Sequence, residues 1–161
     1  MQQLTTLVYM SSAKRQFEKV ELEALLQQSR TNNEKQGLTG LLLYKDGLFM
    51  QALEGSHDSI TKIFPKITAD PRHHNVITLL NTQLERRNFE RWTMGFEYFG
   101  NLSPELSDHF EAIWNQPFTP AYFGHYPHNA LKLLLKFRKN MKAESVLQRN
   151  AVPKPVLAAI Q

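Results

Sequence analysis

The chain has 161 residues, 42% of them hydrophobic and 21% charged, a balance that fits a globular protein able to bury its own core. It contains no cysteine, which excludes disulfide bonds, thiolate nucleophiles and cysteine-ligated zinc or iron–sulfur sites. No run approaches the roughly 20 apolar residues that a membrane span requires, and no signal peptide is evident, so we expect a cytoplasmic protein.

The positive charge is concentrated at the C-terminal end of the chain. The net charge is +4, yet residues 1–128 carry 12 Lys and Arg against 14 Asp and Glu, whereas residues 129–161 carry 7 against 1. A basic block of this kind can bind nucleic acid, an acidic partner or an anionic membrane surface. It can equally be the solvated face of a helix followed by a loose terminus.

The N-terminal part of the chain predicts a strand followed by a helix. Residues 4–10 form a β-prone apolar run that ends in two serines. Residues 20–33 place apolar side chains on one helical stripe among Glu and Gln, and the helix is predicted to end near residues 32–33, with Gly37 beyond.

The next segment predicts a tight hairpin and a second helix. Residues 38–54 contain two apolar runs on either side of an Asp-Gly step at 46–47, which is a strong signal for an antiparallel hairpin. Apolar residues then recur at helical spacing over residues 60–67, and Ser56 is a candidate N-cap. Pro65 removes an interior hydrogen bond, so this helix is expected to start late or to kink.

The remaining pattern completes an α+β arrangement. It predicts strands at 75–84 and 92–99, helices at about 103–115 and 127–142, a proline- and aromatic-rich connector at 117–127, and a free tail at 150–161. The order β-α-β-β-α-β-β favours a ferredoxin-like sheet with two helices on one face, followed by two C-terminal helices.

Three polar features lie inside otherwise apolar elements. Tyr9 lies within an aliphatic strand, Gln51 lies in the middle of the run 48–54, and Asn32 and Asn33 follow one another at a helix end. An unpaired buried amide costs on the order of 1–3 kcal/mol, so a buried Gln51 needs hydrogen-bond partners. Taken singly, Gln51 also fits the solvent face of an alternating strand, and the two asparagines also fit helix capping.

Five segments together carry a family resemblance. They are LVYMSSA (7–13), SRTNN (29–33), GLTGLLLY and DGLFMQALEG within 37–55, DPRHHNV (70–76) and FERWTMGF (89–96). In this order and spacing they resemble the BLUF family of flavin-binding blue-light sensors, over about residues 4–99. The resemblance implies the same ferredoxin-like fold, a flavin between its two helices, and a short stand-alone photoreceptor.

The resemblance implies roles for several polar residues. Tyr9 and Gln51 correspond to the photoactive pair of the family, in which the glutamine bridges the tyrosine hydroxyl and the N5/O4 edge of the flavin. Asn33 corresponds to the residue whose amide pairs with O4 and N3, and Asn32 lies beside it. Arg72 corresponds to the arginine at the O2 end.

The same correspondence implies further cofactor-binding residues. Asp70 and His73 are neighbours of Arg72 at the O2 end. Leu25 and Ile67, on the two facing helices, would enclose the ring from either side. Apolar walls with a few placed polar groups are typical of cofactor pockets.

The mechanism implied by the resemblance is photochemical switching. On excitation Tyr9 donates an electron and a proton by way of Gln51, and their return leaves Gln51 with rearranged hydrogen bonds. Trp92 and Met94 occupy positions that exchange near Gln51 in the family. The sequence does not say which of the two points inward in the dark.

FAD is the cofactor that the resemblance implies. The sequence has no GxGxxG motif or P-loop to hold the phosphates of a dinucleotide. The adenine end is therefore expected to be loosely held, and FMN or riboflavin are alternative cofactors.

The sequence divides into a flavin-binding domain at 1–100, a helical extension at 101–145 and a basic flexible tail at 146–161. The amphipathic helix at 127–142 is expected to dock on the sheet or on a second copy, with its basic face outward. We expect no catalytic output domain in a chain of this length. We therefore expect no enzymatic activity, signalling to a separate response protein, and a homo-oligomer.

Other function classes fit less well. A ferredoxin-like module that binds RNA would present stacking aromatic residues on its strands, and that motif is missing. A flavin-binding module without photochemistry is the second alternative. His73 and His74 suggest a metal, but adjacent side chains point in different directions and no carboxylate follows at ligand spacing, so no metal site is expected.

Overall fold

The computed structural model describes residues 3–90, 92–98 and 118–136. Within these ranges the elements in chain order are β1 (Leu4–Ala13), α1 (Lys19–Gln36), β2 (Thr39–Lys45), β3 (Leu48–Ser56), α2 (His57–Thr68), β4 (His73–Leu84), β5 (Gly95–Tyr98), α3 (Pro120–His125) and a helical stretch over 127–136, called α4.

The strands form one sheet in the order β4-β1-β3-β2-β5. β1 pairs antiparallel with β3 and β4, β2 pairs antiparallel with β3, and β2 and β5 run parallel. Asp46 and Gly47 close the β2–β3 hairpin with φ values of 48° and 80°, which fit a type I′ turn. The predicted hairpin and the ferredoxin-like α+β order are both confirmed.

Helix α1 extends further than its sequence pattern predicts. It ends at Gln36 because Gly37 adopts a left-handed φ of 63°, and the Gly37 N–H bonds to the carbonyls of Asn33 and Glu34. The predicted end near residues 32–33 is therefore wrong. Both asparagines lie inside the last turns of the helix and not at its cap.

Helix α2 begins where its N-cap predicts. The Ser56 hydroxyl accepts a hydrogen bond from the Ser59 N–H at 3.1 Å, which confirms the predicted cap. The helix starts at His57 and continues through Pro65 to Thr68, so the late start is excluded.

The sheet separates two apolar clusters. On one side, called the pocket face, Leu22 and Leu26 of α1 pack with Tyr9 of β1. On the other side, called the far face, Val8 and Met10 of the same strand are fully buried. Successive side chains of a strand point to opposite faces, so β1 contributes to both clusters.

Helices α3 and α4 cover the far face. Phe123 of α3 and Ala130, Leu133 and Leu134 of α4 are buried in the far-face cluster. The predicted docking of the C-terminal helix on the sheet is thus confirmed for the part of that helix that the structure describes. Lys132 and Lys136 are exposed on its outer side.

The segment predicted as a connector contains helix α3. Pro120 stands at its first turn, where proline is well tolerated, and the Thr119 hydroxyl accepts a hydrogen bond from the Tyr122 N–H at 3.2 Å. The local pattern reads as a loop because proline and aromatic residues dominate it. The cap and the proline position together produce a helix instead.

The predicted bounds of the last strands need correction. β4 begins at His73, before the predicted residue 75, and β5 begins at Gly95, after the predicted residue 92, because residues 93–94 form a bend. The predicted helix at 103–115, the end of the helix at 127–142 and the tail lie outside the described residues. Among the residues described, none of the helices is long and apolar enough to cross a membrane.

Candidate functional site

A cavity of about 320 Å³ opens between α1 and α2 on the pocket face. Its lining includes all the residues that the resemblance assigns to cofactor binding: Tyr9, Leu25, Asn32, Asn33, Gln51, Ile67, Asp70, Arg72 and His73. The volume falls within the roughly 300–1,000 Å³ typical of small-molecule sites. The fold therefore brings these residues around one space, and their individual roles stay predictions.

The two helices supply the side walls of the cavity. Leu25 of α1 and Ile63 and Ile67 of α2 line it, and all three are partly buried against the pocket-face cluster. Leu42 and Leu53 of the sheet form its floor. A slot with aliphatic side chains on both sides suits a flat apolar ring.

Tyr9 and Gln51 lie together at the inner wall. They are only 4% and 5% exposed, and the Tyr9 hydroxyl donates a hydrogen bond to Gln51 Oε1. Burial raises the pKa of the Tyr9 phenol well above its ordinary value, and the Asp70 carboxylate raises it further. The ring of Phe64, with centroids 5.5 Å apart, packs on the phenol. Tyr9 is thus held as a neutral proton donor.

The other end of the Gln51 amide meets a sulfur atom. Gln51 Nε2 donates to Met94 Sδ at 3.5 Å, and a thioether is a weak acceptor. The strong bond is therefore the one from the phenol. A half-turn of the amide would turn Nε2 toward the Tyr9 oxygen and break the bond to Met94, because a thioether sulfur has no hydrogen to donate to Oε1. Gln51 is therefore a group with two alternative arrangements of its hydrogen bonds.

Asn33 projects its amide away from its own helix. It is 4% exposed, and its Nδ2 donates to the Thr93 carbonyl at 2.7 Å. The capping interpretation is therefore wrong for its side chain. Asn32 lines the cavity too, but it is exposed. Arg30 Nε donates to the Met94 carbonyl at 3.0 Å, so α1 holds the chain before β5 at two successive carbonyls.

Asp70 and Arg72 form an ion pair at the mouth of the cavity. Arg72 Nε lies 3.0 and 3.1 Å from the two Asp70 carboxylate oxygens, and Arg72 Nη2 donates to Gln28 Oε1 at 3.0 Å. The hydrogen bonds from Arg72 lower the pKa of Asp70, and those to Asp70 raise the pKa of Arg72. The mouth therefore keeps both partners charged, as an ion pair beside the space.

His73 uses both ring nitrogens within the protein. Nδ1 lies 2.8 Å from Ser11 Oγ, and Nε2 lies 2.5 Å from the Ile67 carbonyl. His74 is exposed. In the described part of the chain, no three His, Asp or Glu side chains lie close enough to share a metal ion.

Trp92 and Met94 lie on opposite faces of the sheet. Met94 is 1% exposed on the pocket face, whereas Trp92 packs on the far-face cluster, its ring 6.3 Å from that of Phe89. Residues two apart in a regular strand would share a face, and the bend at 93–94 breaks that rule. Met94 therefore points toward the cavity side of the sheet, and Trp92 points toward the far-face cluster.

The sequence reading missed several residues of the cavity. They are Ser11, Phe17, Gln28, Ser29, Leu42, Phe49, Leu53, Ile63 and Lys66. Helical periodicity contains the signal for some of them, since Gln28 and Ser29 lie three and four residues beyond Leu25 on the same face of α1. The strand residues carry no comparable signal, because they read only as core.

The lining as a whole fits a flavin. An isoalloxazine ring has apolar faces and an edge of alternating donors and acceptors, and the cavity offers aliphatic walls and the amides of Asn33 and Gln51. The Arg72 guanidinium suits an electron-rich carbonyl at the other end. A flavin bound here would be held between the residues of α1 and α2 that line the cavity.

Comparison with known proteins finds several relatives, three of which show the range of the similarity. Photoactivated adenylate cyclase subunit beta of Euglena longa is 38% identical over 92 residues, 56% of this chain and 11% of that protein. The blue light- and temperature-regulated antirepressor BluF of Escherichia coli is 30% identical over 113 residues, 70% of this chain and 28% of that protein. The solved photo-activated state of BlsA has a TM-score of 0.68 at 27% identity, over 82% of this chain and 94% of that chain.

A family model also matches this chain. The chain spans only about a tenth of the length of the cyclase subunits it matches. Residues 4–95, more than half of the chain, match the model described as sensors of blue light using FAD. These residues contain strands β1 to β4, both cavity helices and the Tyr9–Gln51 pair. The chain belongs to the BLUF family.

Proposed function

We propose that this protein is a blue-light photoreceptor that holds FAD in the cavity between α1 and α2. The observation that carries the proposal is the buried hydrogen bond from Tyr9 to Gln51 at the inner wall of that cavity. FAD is favoured over FMN and riboflavin by the family description, which names it. Arg72 lines the cavity and is exposed, so the rest of a dinucleotide is proposed to extend outward past it.

The photochemistry requires a donor that gives up an electron and a proton together. Bound flavin excited by blue light supplies a strong one-electron oxidant. A buried phenol with a raised pKa stays protonated while it is neutral, but loss of an electron makes it strongly acidic, so its proton passes to Gln51 Oε1, the acceptor of its hydrogen bond. Return of the electron and the proton restores Tyr9 and leaves the Gln51 amide in its second arrangement.

The change at Gln51 is proposed to reach the far face through Met94, Trp92 and Phe89. Gln51 contacts Met94, and the chain just before it carries Phe89 and Trp92 on the other side of the sheet. These rings pack in the same cluster as α3 and α4. We propose that a shift of Met94 alters this packing and so changes the surface of α4.

The output is proposed to pass to a separate response protein, without enzymatic activity of this chain. The basic surplus after residue 128 and the exposed Lys132 and Lys136 of α4 favour an acidic partner. Reversal of these two charges should weaken light-dependent binding more at low salt than at high salt.

We also propose a homo-oligomer and a cytoplasmic location, which light scattering and fractionation would test.

A nucleic-acid-binding function is disfavoured by the covering of the sheet. Ferredoxin-like domains that bind RNA use an open sheet face with stacking rings. Here Ala130, Leu133 and Leu134 bury the far face, and α1 and α2 cover the pocket face.

Absorption spectroscopy of the purified protein tests the function. We expect a yellow protein whose flavin spectrum shifts to the red under blue light and recovers in darkness, and chromatography of the released cofactor should identify FAD. Protein that takes up no flavin on reconstitution would refute the proposal. Flavin binding without a reversible shift would support the module without photochemistry instead.

A further inference from the structure

The carboxylate of Glu54 holds the loop between β4 and β5 on the far face. Glu54 is fully buried, and its Oε2 accepts hydrogen bonds from the N–H groups of Asn88 at 2.7 Å and Phe89 at 3.0 Å. Its Oε1 accepts from Asn88 Nδ2 at 2.8 Å. A buried carboxylate must be satisfied by donors, and here one loop supplies all three of these bonds. The loop conformation is therefore tied to Glu54.

Arg87 fastens the same loop to two other elements. Its Nη1 donates to Thr39 Oγ1 at 2.9 Å and to the Glu54 carbonyl at 2.8 Å, and its Nη2 donates to the Gly37 carbonyl at 2.7 Å. These acceptors lie at the C-terminal end of α1 and along β2 and β3. A cation is favoured at the end of a helix, so the contact is electrostatically matched.

A chain of hydrogen bonds connects this anchor to Met94. The Phe89 carbonyl accepts from the Trp92 N–H at 3.1 Å, and the Trp92 carbonyl accepts from the Gly40 N–H at 3.0 Å. Only Thr93 separates the residues held by these bonds from Met94, and α1 holds the Thr93 and Met94 carbonyls. β3 therefore contacts this segment at both ends: Glu54 bonds to Asn88 and Phe89 on the far face, and Gln51 bonds to Met94 on the pocket face.

We propose that Glu54 and Arg87 are positioning residues that hold Met94 against Gln51 and so set how fast the lit state decays. This inference rests on the proposed photoreceptor function. Return to the resting arrangement requires Met94 to be in place to receive Gln51 Nε2. A loosened loop leaves Met94 less well placed, and the return slows.

Substitutions of Glu54 and Arg87, matched with control substitutions in the β4–β5 loop, test the proposal. Glu54→Gln and Arg87→Gln should keep the flavin and the red shift, but slow dark recovery by roughly threefold to tenfold, the factor that one weakened hydrogen bond corresponds to. Glu85→Gln and Arg86→Gln make the same chemical changes at exposed positions of this loop and should recover like the wild type. Arg87 is only half-buried, so its variant carries the test if Glu54→Gln does not accumulate.

A second readout does not depend on the photocycle. The chain has two tryptophans, and Trp114→Phe leaves Trp92 as the sole indole. In that background, acrylamide quenching of Trp92 should increase in Glu54→Gln and Arg87→Gln and not in the controls.

The outcomes separate the inference from the function on which it rests. A wild type without a reversible shift would refute the photoreceptor function, while quenching would still report on the loop. If Glu54→Gln and Arg87→Gln both show the dark-recovery rate and the Trp92 quenching of the wild type, the positioning role is overturned. A lowered melting temperature with unchanged recovery and quenching would also overturn it, because it would show a purely structural role.

Discussion

Tyr9 and Gln51 are a directly opposed pair of the antiparallel β1–β3 ladder, and the hydroxyl of the first donates to the amide oxygen of the second. Each of these strands has a further neighbour on its other side, β4 for β1 and β2 for β3. The backbone around the pair is therefore fixed independently of the two side chains. Substitutions here should change the chemistry of the site more than its shape.

The first prediction concerns the two side chains of this pair. Tyr9→Phe and Gln51→Leu should bind flavin and lose the reversible red shift, because neither retains a path for the proton. Tyr44→Phe is the matched control, since the Tyr44 hydroxyl accepts from the Phe17 N–H at 3.0 Å and takes no part in the pair. Difference spectra under blue light make the measurement, and a normal shift in either pair variant would contradict the assignment.

The raised pKa of Tyr9 predicts a pH dependence of stability. The folded protein keeps this proton above about pH 10, where an unfolded tyrosine releases it, so the free energy of unfolding should fall as the pH rises beyond that value. Urea unfolding of the wild type and Tyr9→Phe near neutral pH and above about pH 10 measures it. The wild type should lose more stability than the variant. An equal loss in both would show that the buried phenol is not the source.

The buried amide of Asn33 should contribute more to flavin affinity than the exposed amide of Asn32. Asn33→Ala removes a buried donor at the cavity edge and should raise the flavin dissociation constant by roughly fivefold to a hundredfold, the equivalent of 1–3 kcal/mol. Asn32→Ala, at an exposed position, should raise it less. Titration of flavin into cofactor-free protein gives both values. Equal effects would show that Asn33 serves only to hold Thr93.

The covering of the far face predicts a role for α4 in stability. Leu134 is fully buried, so Leu134→Ala should lower the free energy of unfolding by about 2–5 kcal/mol. Lys136→Ala, at an exposed position of the same helix, should change it by less than about 0.5 kcal/mol. Chemical denaturation of both variants makes the comparison. A neutral Leu134→Ala would mean that α4 does not hold to the sheet in solution.

Much of the fold could be predicted because its signals are local. The hairpin depends on two residues that accept positive φ, and the start of α2 depends on a serine cap. The end of α1 was missed because the Gly37 cap outweighs the two asparagines before it. Helix α3 was missed because a proline at the first turn looks like a break until the cap before it is recognised.

The site was predictable where family motifs or helical spacing marked it, and it was not where distant contacts decide. Nothing near Trp92 and Met94 in the sequence says that they lie on opposite faces. That outcome depends on the bend at 93–94, which follows a loop fastened by Glu54, far away along the chain. Asn33 likewise finds its acceptor at Thr93, 60 positions away.

A single layer of backbone stands between the cavity and whatever covers the far face. Gln51 and Ala52 are neighbours on β3, yet one meets the cavity and the other meets the cluster under α4. Any segment able to cover Val8 and Met10 would feel the same movement of the strands. We therefore expect the segment that covers the far face to differ among relatives while the pocket face stays constant. New outputs would then arise by replacing the covering segment alone.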